Sequence, residues 1–203
     1  IISDTVFYIE VYDNNECFIS DTINIFIRPV FEGEEICLVT VDSITNKNMV
    51  IWEKTPDVCI EYYNIYKEFA TNVYEVIGTV PYDSLSVFVD MESEPLVHSD
   101  KYKISAVDLC GNESELSSYH KTIILQANMG IGQINLEWIN YEGFYVGYNY
   151  IYKGSTNNLT LYDSVPGSQE MYNDLYLNPF KLQYAIVNDK GDTCYASEGK
   201  AAG

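Results

Sequence analysis

The sequence predicts an all-β chain of antiparallel sandwiches in tandem. Three observations carry that expectation. The apolar residues are Ile, Val, Tyr and Phe more than Leu and Ala, with 19 tyrosines among 203 residues, and β-branched and aromatic side chains fit a pleated, half-buried surface. Short apolar runs alternate with polar residues, as in Tyr102-Lys103-Ile104-Ser105-Ala106, and are divided by Asn, Asp, Gly, Ser and Pro clusters at roughly 8–12-residue spacing. One block of sequence occurs twice. No long segment has the helical period.

Residues 1–30 read as a hairpin: a strand over Phe7–Asp13, a turn over Asn14–Cys17 and a strand over Phe18–Ile27. A lone two-stranded hairpin is marginal in water. It is expected to pair with further strands, pack on its neighbour or pair with another chain, and its edge is an expected dimer contact. Residues 31–123 and 124–203 read as two small sandwich domains, because each carries the same motifs in the same order. Met49-Val50-Ile51-Trp52-Glu53 matches Ile134-Asn135-Leu136-Glu137-Trp138. Tyr63-Asn64-Ile65-Tyr66-Lys67 matches Asn149-Tyr150-Ile151-Tyr152-Lys153. Ile77-Gly78-Thr79-Val80-Pro81 matches Tyr162-Asp163-Ser164-Val165-Pro166, and Tyr102-Lys103-Ile104 matches Tyr184-Ala185-Ile186. Pro81 and Pro166 are expected at strand ends, where no ladder donor is needed. The last strand of the second copy reads as short.

A formal net charge of −19 argues against a nucleic-acid partner, since neutralising phosphates needs clustered Lys and Arg, and against docking on anionic lipid. No apolar run reaches the ~18 residues of a membrane span, so no membrane insertion is expected. The chain begins at Ile1 and reads as a piece of a longer product.

The run from Tyr102 to Ser117, with Asp108-Leu109-Cys110-Gly111-Asn112-Glu113 at its centre, resembles the sixth strand, turn and last strand of fibronectin type III domains. Trp52 and Trp138 match the tryptophan of the second strand, and Tyr63–Tyr66 and Tyr150–Tyr152 match the aromatic third strand. The resemblance covers residues 33–200 and implies tandem immunoglobulin-like sandwiches. In overall texture the chain is similar to tandem modules of bacterial surface proteins of the gliding-motility-associated, type IX-exported kind. That implies an extracellular or cell-surface location and a non-catalytic spacer or adhesin-type role, with other domains of the same polypeptide as partners. Residues 1–30 then resemble the C-terminal hairpin of a preceding immunoglobulin-like or PKD-like domain. The alternative role is a carbohydrate-binding accessory module of a surface glycan-degrading enzyme, with an extracellular protein or a glycan as ligand.

Five cysteines fit no zinc spacing; a disulfide in an oxidising compartment is expected. In such a sandwich Cys37, Cys59 and Cys110 fall at one end of the middle domain. Cys17 and Cys194 are placed about a domain length away, beyond the ~5.5 Å Cα separation of a bridge. The resembling bacterial modules imply Cys37–Cys110; Cys59–Cys110 is the alternative.

No cofactor, metal or catalytic site is expected. His98 and His120 are the only imidazoles, neither in a nucleophile motif, and His120 is expected at a surface position. Carboxylate pairs such as Glu92 and Glu94 read as solvated loops. Asp108, Asn112 and Glu113 are a minor cation candidate. The leading binding candidate is the loop from Asn140 to Tyr148, whose Tyr141, Phe144, Tyr145 and Tyr148 offer wide amphipathic contact area; the competing expectation is that these rings cover the domain junction. Trp52 and Trp138 read as core, and Tyr102 and Tyr184 as tyrosines that hydrogen-bond across the sandwich corner.

Overall fold

The computed structural model describes residues 5–15, 17–25, 31–56, 59–155, 158–175, 182–191, 194–196 and 200–202. Glu16 of the expected turn and residues 26–27 of the expected second strand lie outside them. The chain divides into two compact units, Ile1–Phe31 and Glu32–Gly203.

The first unit is an antiparallel hairpin of β1 (Thr5–Tyr12) and β2 (Phe18–Ile25), with Tyr12 opposite Phe18. Asp13 shapes its turn: Oδ1 accepts the amides of Asn15 and Cys17 at 2.8 and 2.9 Å. Successive side chains point to opposite faces, and both faces stay apolar and exposed, with Phe7, Ile9 and Val11 on one and Tyr8 and Tyr12 on the other.

In the second unit the strands alternate between two sheets. The first sandwich contains β3 (Ile36–Val41), β4 (Asn48–Trp52), β5 (Ile60–Ala70), β6 (Val73–Pro81), β7 (Val87–Asp90), β8 (Lys101–Asp108) and β9 (His120–Lys121). Its sheets run β3-β4-β7 and β6-β5-β8-β9. The second contains β10 (Ile124–Gly130), β11 (Gln133–Ile139), β12 (Tyr148–Ser155), β13 (Asn158–Pro166), β14 (Met171–Asp174) and β15 (Gln183–Asn188). Its sheets run β10-β11-β14 and β13-β12-β15. Both therefore place strands one, two and five in one layer and four, three and six in the other. This is the strand order that the fibronectin type III resemblance implies, and every pairing is antiparallel. No helix occurs among the described residues.

Period-two alternation builds each core. Trp52, Tyr63, Ile65, Tyr102 and Ile104 fill the first sandwich, with the Trp52 and Tyr63 rings edge-on at 5.3 Å. Leu136, Trp138, Ile151 and Val165 fill the second.

After β15 the chain leaves the second sandwich. A short hairpin, β16 (Cys194–Ala196) with β17 (Lys200–Ala202), follows, and β16 packs against β4. Val50 and Trp52 of β4 face inward, so Met49 and Ile51 face out. Ile51 is nonetheless fully buried, because Cys194 lies on it among Cys37, Leu38, Met49 and Val87. The disulfide is Cys37–Cys194, with a Cα separation of 5.9 Å. It is neither Cys37–Cys110 nor Cys59–Cys110: Cys59 and Cys110 are free thiols, as is Cys17. The expectation that Cys194 stays unpaired is overturned for a geometric reason. It assumed sandwiches strung end to end, whereas the segment after β15 folds back along the outer face of the first.

Truncating Trp52 to Ala should destabilise the protein by about 3–5 kcal/mol, read from urea denaturation. The same change at Ile44, which is 88% exposed, should fall within about 0.5 kcal/mol; equal costs would refute the core assignment.

Candidate interaction site at the junction of the sandwiches

Tyr102 and Tyr184 each meet an aspartate at the end of the fifth strand. Tyr102 donates to Asp90 Oδ2 at 2.7 Å, and Lys67 Nζ reaches the same oxygen at 2.9 Å and Asp100 at 3.1 Å. In the second sandwich Tyr184 donates to Asp174 Oδ2 at 2.5 Å, with Lys153 Nζ at 2.5 Å. Lys67 sits opposite Tyr102, and Lys153 opposite Tyr184, on paired strands. A Lys–Asp–Tyr cluster thus crosses from sheet to sheet in both copies. Burial pushes the Tyr102 hydroxyl up, and its bond to Asp90 pushes it further. Burial also pushes Asp90 up, but Lys67 and Tyr102 outweigh it and hold the carboxyl below its ordinary value. The tyrosines and lysines lie in matched motifs; the aspartates, on the other sheet, escaped the sequence reading.

The aromatic loop between β11 and β12 divides into two parts. Tyr141 is 7% exposed and plugs the junction. Its hydroxyl accepts the Val39 amide of β3 at 2.8 Å and lies 2.6 Å from His120 Nδ1. The Tyr141 hydroxyl and His120 Nδ1 share one hydrogen bond, whose direction is set by the imidazole's tautomer,. Phe144 stacks on Tyr141 at 4.4 Å and faces His120 at 6.3 Å. Beside them Lys121 and Glu142 exchange backbone hydrogen bonds and pair at 2.6 Å through their side chains, and Tyr119 donates to Glu142 at 2.5 Å. Gly143 has φ +139°, and a Cβ there would meet the His120 ring at 2.4 Å. Tyr141 and Phe144 are therefore joining groups, while Tyr145 at 88% and Tyr148 at 56% exposure face solvent. Tyr148 continues onto β12, its ring 6.4 Å from Tyr150.

His120 is 4% exposed, not at the surface as expected, because the second sandwich covers it. Burial first, and Lys190 second, push its pKa down to about 4. His98 is half exposed and faces Asp100 at 3.2 Å. Asp108 is occupied by its own turn through the Cys110 and Asn112 amides. Glu113 accepts from Ser105, Tyr66 and Asn64. Among the described residues no group of three His, Cys, Asp or Glu is placed to hold a metal ion.

No family model matches the chain, and no curated protein matches it. Solved structures similar to it include the FN1–FN3 domains of chicken CNTN1, at 10% identity over 95% of this chain and 75% of that one, with a TM-score of 0.37. The central fibronectin-III array of RIM-binding protein is similar at 10% identity over 77% and 68%, with a TM-score of 0.35. A segment of two fibronectin type III domains from chicken tenascin is similar at 16% identity over 77% and 99%, with a TM-score of 0.31. The fold assignment rests on the strand order of the chain itself.

The junction and the inter-sheet cluster each have a testable outcome. The folded His120 titrates below the ~6.5 of an unfolded imidazole, so its contribution is fully present above that pH and is lost as pH falls toward about 4,. Urea midpoints should drop over that window more steeply in the wild type than in His120→Asn; parallel profiles would refute the buried neutral imidazole. Asp174→Asn should cost about 3–5 kcal/mol, since it strips a buried lysine of its carboxylate; a loss under about 1 kcal/mol would refute the inter-sheet cluster.

Proposed function

We propose that the chain is a non-catalytic structural and protein-interaction module of an extracellular or cell-surface bacterial protein, acting as a stiff spacer or adhesin-type segment. The observation that carries this reading is the double closure of the junction. Tyr141 and Glu142 tie β3 and β9 to the loop after β11, and Cys37–Cys194 ties the segment after β15 to β3 as well. Two sandwiches joined twice hold a set angle, which suits a part that presents other domains. A persistent disulfide fits an oxidising compartment. The partners in this reading are other domains of the same polypeptide and an extracellular protein. Residues 31–123 and 124–203 act as one pair. The hairpin of residues 1–30 belongs to a preceding domain, a view supported by its Asp13 turn, built like the turn at Asp108.

The exposed Tyr145 and Tyr148 favour a second reading, a glycan-binding accessory module, because tyrosine faces stack on sugar rings. Glycan-array binding abolished by Tyr145→Ala would support it; an array with no hits would count against it.

Residual dipolar couplings from the two sandwiches should fit one alignment tensor in the oxidised protein and diverge in Cys37→Ser. Independent tensors in the oxidised protein would sink the spacer. The variant should also lose about 2–5 kcal/mol of stability.

A further inference from the structure

Strand alternation sends Tyr148, Tyr150, Tyr152 and Gly154 of β12 outward and Asn149, Ile151 and Lys153 into the core,. The cross-strand register fixes the outward neighbours. Tyr150 lies between Ser164 of β13 and Val187 of β15, Tyr152 between Leu161 and Ala185, and Gly154 between Leu159 and Gln183. Tyr148 is paired with Pro166. None of these outward positions carries a charge, and Tyr148, Leu159, Leu161 and Val187 are exposed.

The first sandwich fills the same positions differently. There Asn64 lies between Thr79 and Ser105, and Tyr66 between Val76 and Lys103. Glu68 stands opposite Tyr74 and pairs with Lys101 at 3.2 Å. Asn64, Tyr66 and Ser105 all donate to the carboxylate of Glu113, from the segment after β8. The Lys103 ammonium sits over the Tyr74 ring at 5.1 Å. That face is charged, and its polar groups are engaged by the chain itself. In the second sandwich the matching register puts Gly154, Gln183 and Ala185 where Glu68, Lys101 and Lys103 stand.

We propose that the uncharged outer face of β13-β12-β15 is the contact through which two copies of this chain pair, sheet against sheet. Charge selects the occupant. Each copy carries a net charge of −19, so two copies repel wherever their acidic surfaces meet, and this face is where that repulsion is least. Its polar groups are hydroxyls of Tyr and Ser, which both donate and accept. The face can therefore hydrogen-bond to its own copy, as a two-fold contact demands; a row of carboxylates or ammoniums could not. Sheets of one twist stack aligned, at about 30° and about 10 Å apart. Eight residues of β12 by three strands measure about 26 by 14 Å. A contact of that size buries on the order of 1,000 Å² in total, the low end of specific association, so the pair is reversible. Pairing of this kind sets spacers side by side, which goes beyond the spacer reading itself.

Analytical ultracentrifugation of the whole oxidised chain, from roughly 5 to roughly 300 μM, tests this. The weight-average mass should rise with concentration from one copy toward two. The dissociation constant should fall about threefold or more between about 50 and about 500 mM NaCl, because salt screens the repulsion and leaves the apolar contact. Leu161→Lys sets like charges into the contact and should weaken it about tenfold or more. Val187→Lys does the same from β15 and replaces Leu161→Lys if urea midpoints show that the latter fails to fold. Val76→Lys, at the matching position of the first sandwich, should leave the dissociation constant unchanged. A chain that stays a single copy throughout overturns the proposal, even where it binds a glycan. A dimer that loosens in salt overturns it, since charges would then hold it. So does a dimer weakened as much by Val76→Lys, or one that keeps its strength in both face variants, as a dimer through the β1-β2 hairpin would.

Discussion

A charge held between two sheets organises both sandwiches. The cores are apolar and non-directional, so packing alone leaves the sheets free to slide. The aspartate closing each fifth strand removes that freedom. It must meet its lysine and its tyrosine at once, and those two sit side by side on strands of the opposite sheet. One register satisfies all three groups. A misplaced sheet would strand a buried carboxylate or ammonium, which costs more than a misplaced leucine. The first copy is the richer: Asn48 donates to Asp100 and to the Tyr102 hydroxyl, which extends the constraint to the second strand.

The junction obeys the same logic with a neutral cluster. Val39 offers an amide to the Tyr141 hydroxyl, which shares a second hydrogen bond with His120. The absence of a side chain at Gly143 lets the loop lie on the imidazole. Because the ion pair of Lys121 and Glu142 is partly exposed, its direct contribution is modest; the backbone exchange between the same two residues does more to set the loop's path.

Much of the fold was legible because the repeat is written in residues that strands require. Alternation placed Tyr102, Ile104 and Ala106 on one buried face, Trp52 and Trp138 read as core, and Pro81 and Pro166 close β6 and β13. Lys67 and Lys153 stood in the matched motif, but an inward lysine reveals its role only when the partner on the other sheet is known. The aromatic loop was harder. Which of Tyr141, Phe144, Tyr145 and Tyr148 meets a neighbour depends on the angle between sandwiches, and no local pattern encodes that angle. Cys194 was misjudged for the same reason, and so was His120. Long-range placement decided all three.

The position of the bridge has a mechanical consequence. Cys37 lies near the start of the larger unit and Cys194 near its end, 157 residues apart in sequence. Stretched out, that length of chain would span about 500 Å at ~3.3 Å per residue, yet its two anchor points are 5.9 Å apart. Tension arriving at both ends of the larger unit therefore runs through one covalent bond. The hydrogen-bonded ladders of both sandwiches hang beside the load path and bear none of it. Under pull the molecule lengthens only outside the bridge, as a link in a chain does, and its domains keep their shape at forces that would otherwise peel strands from a sheet.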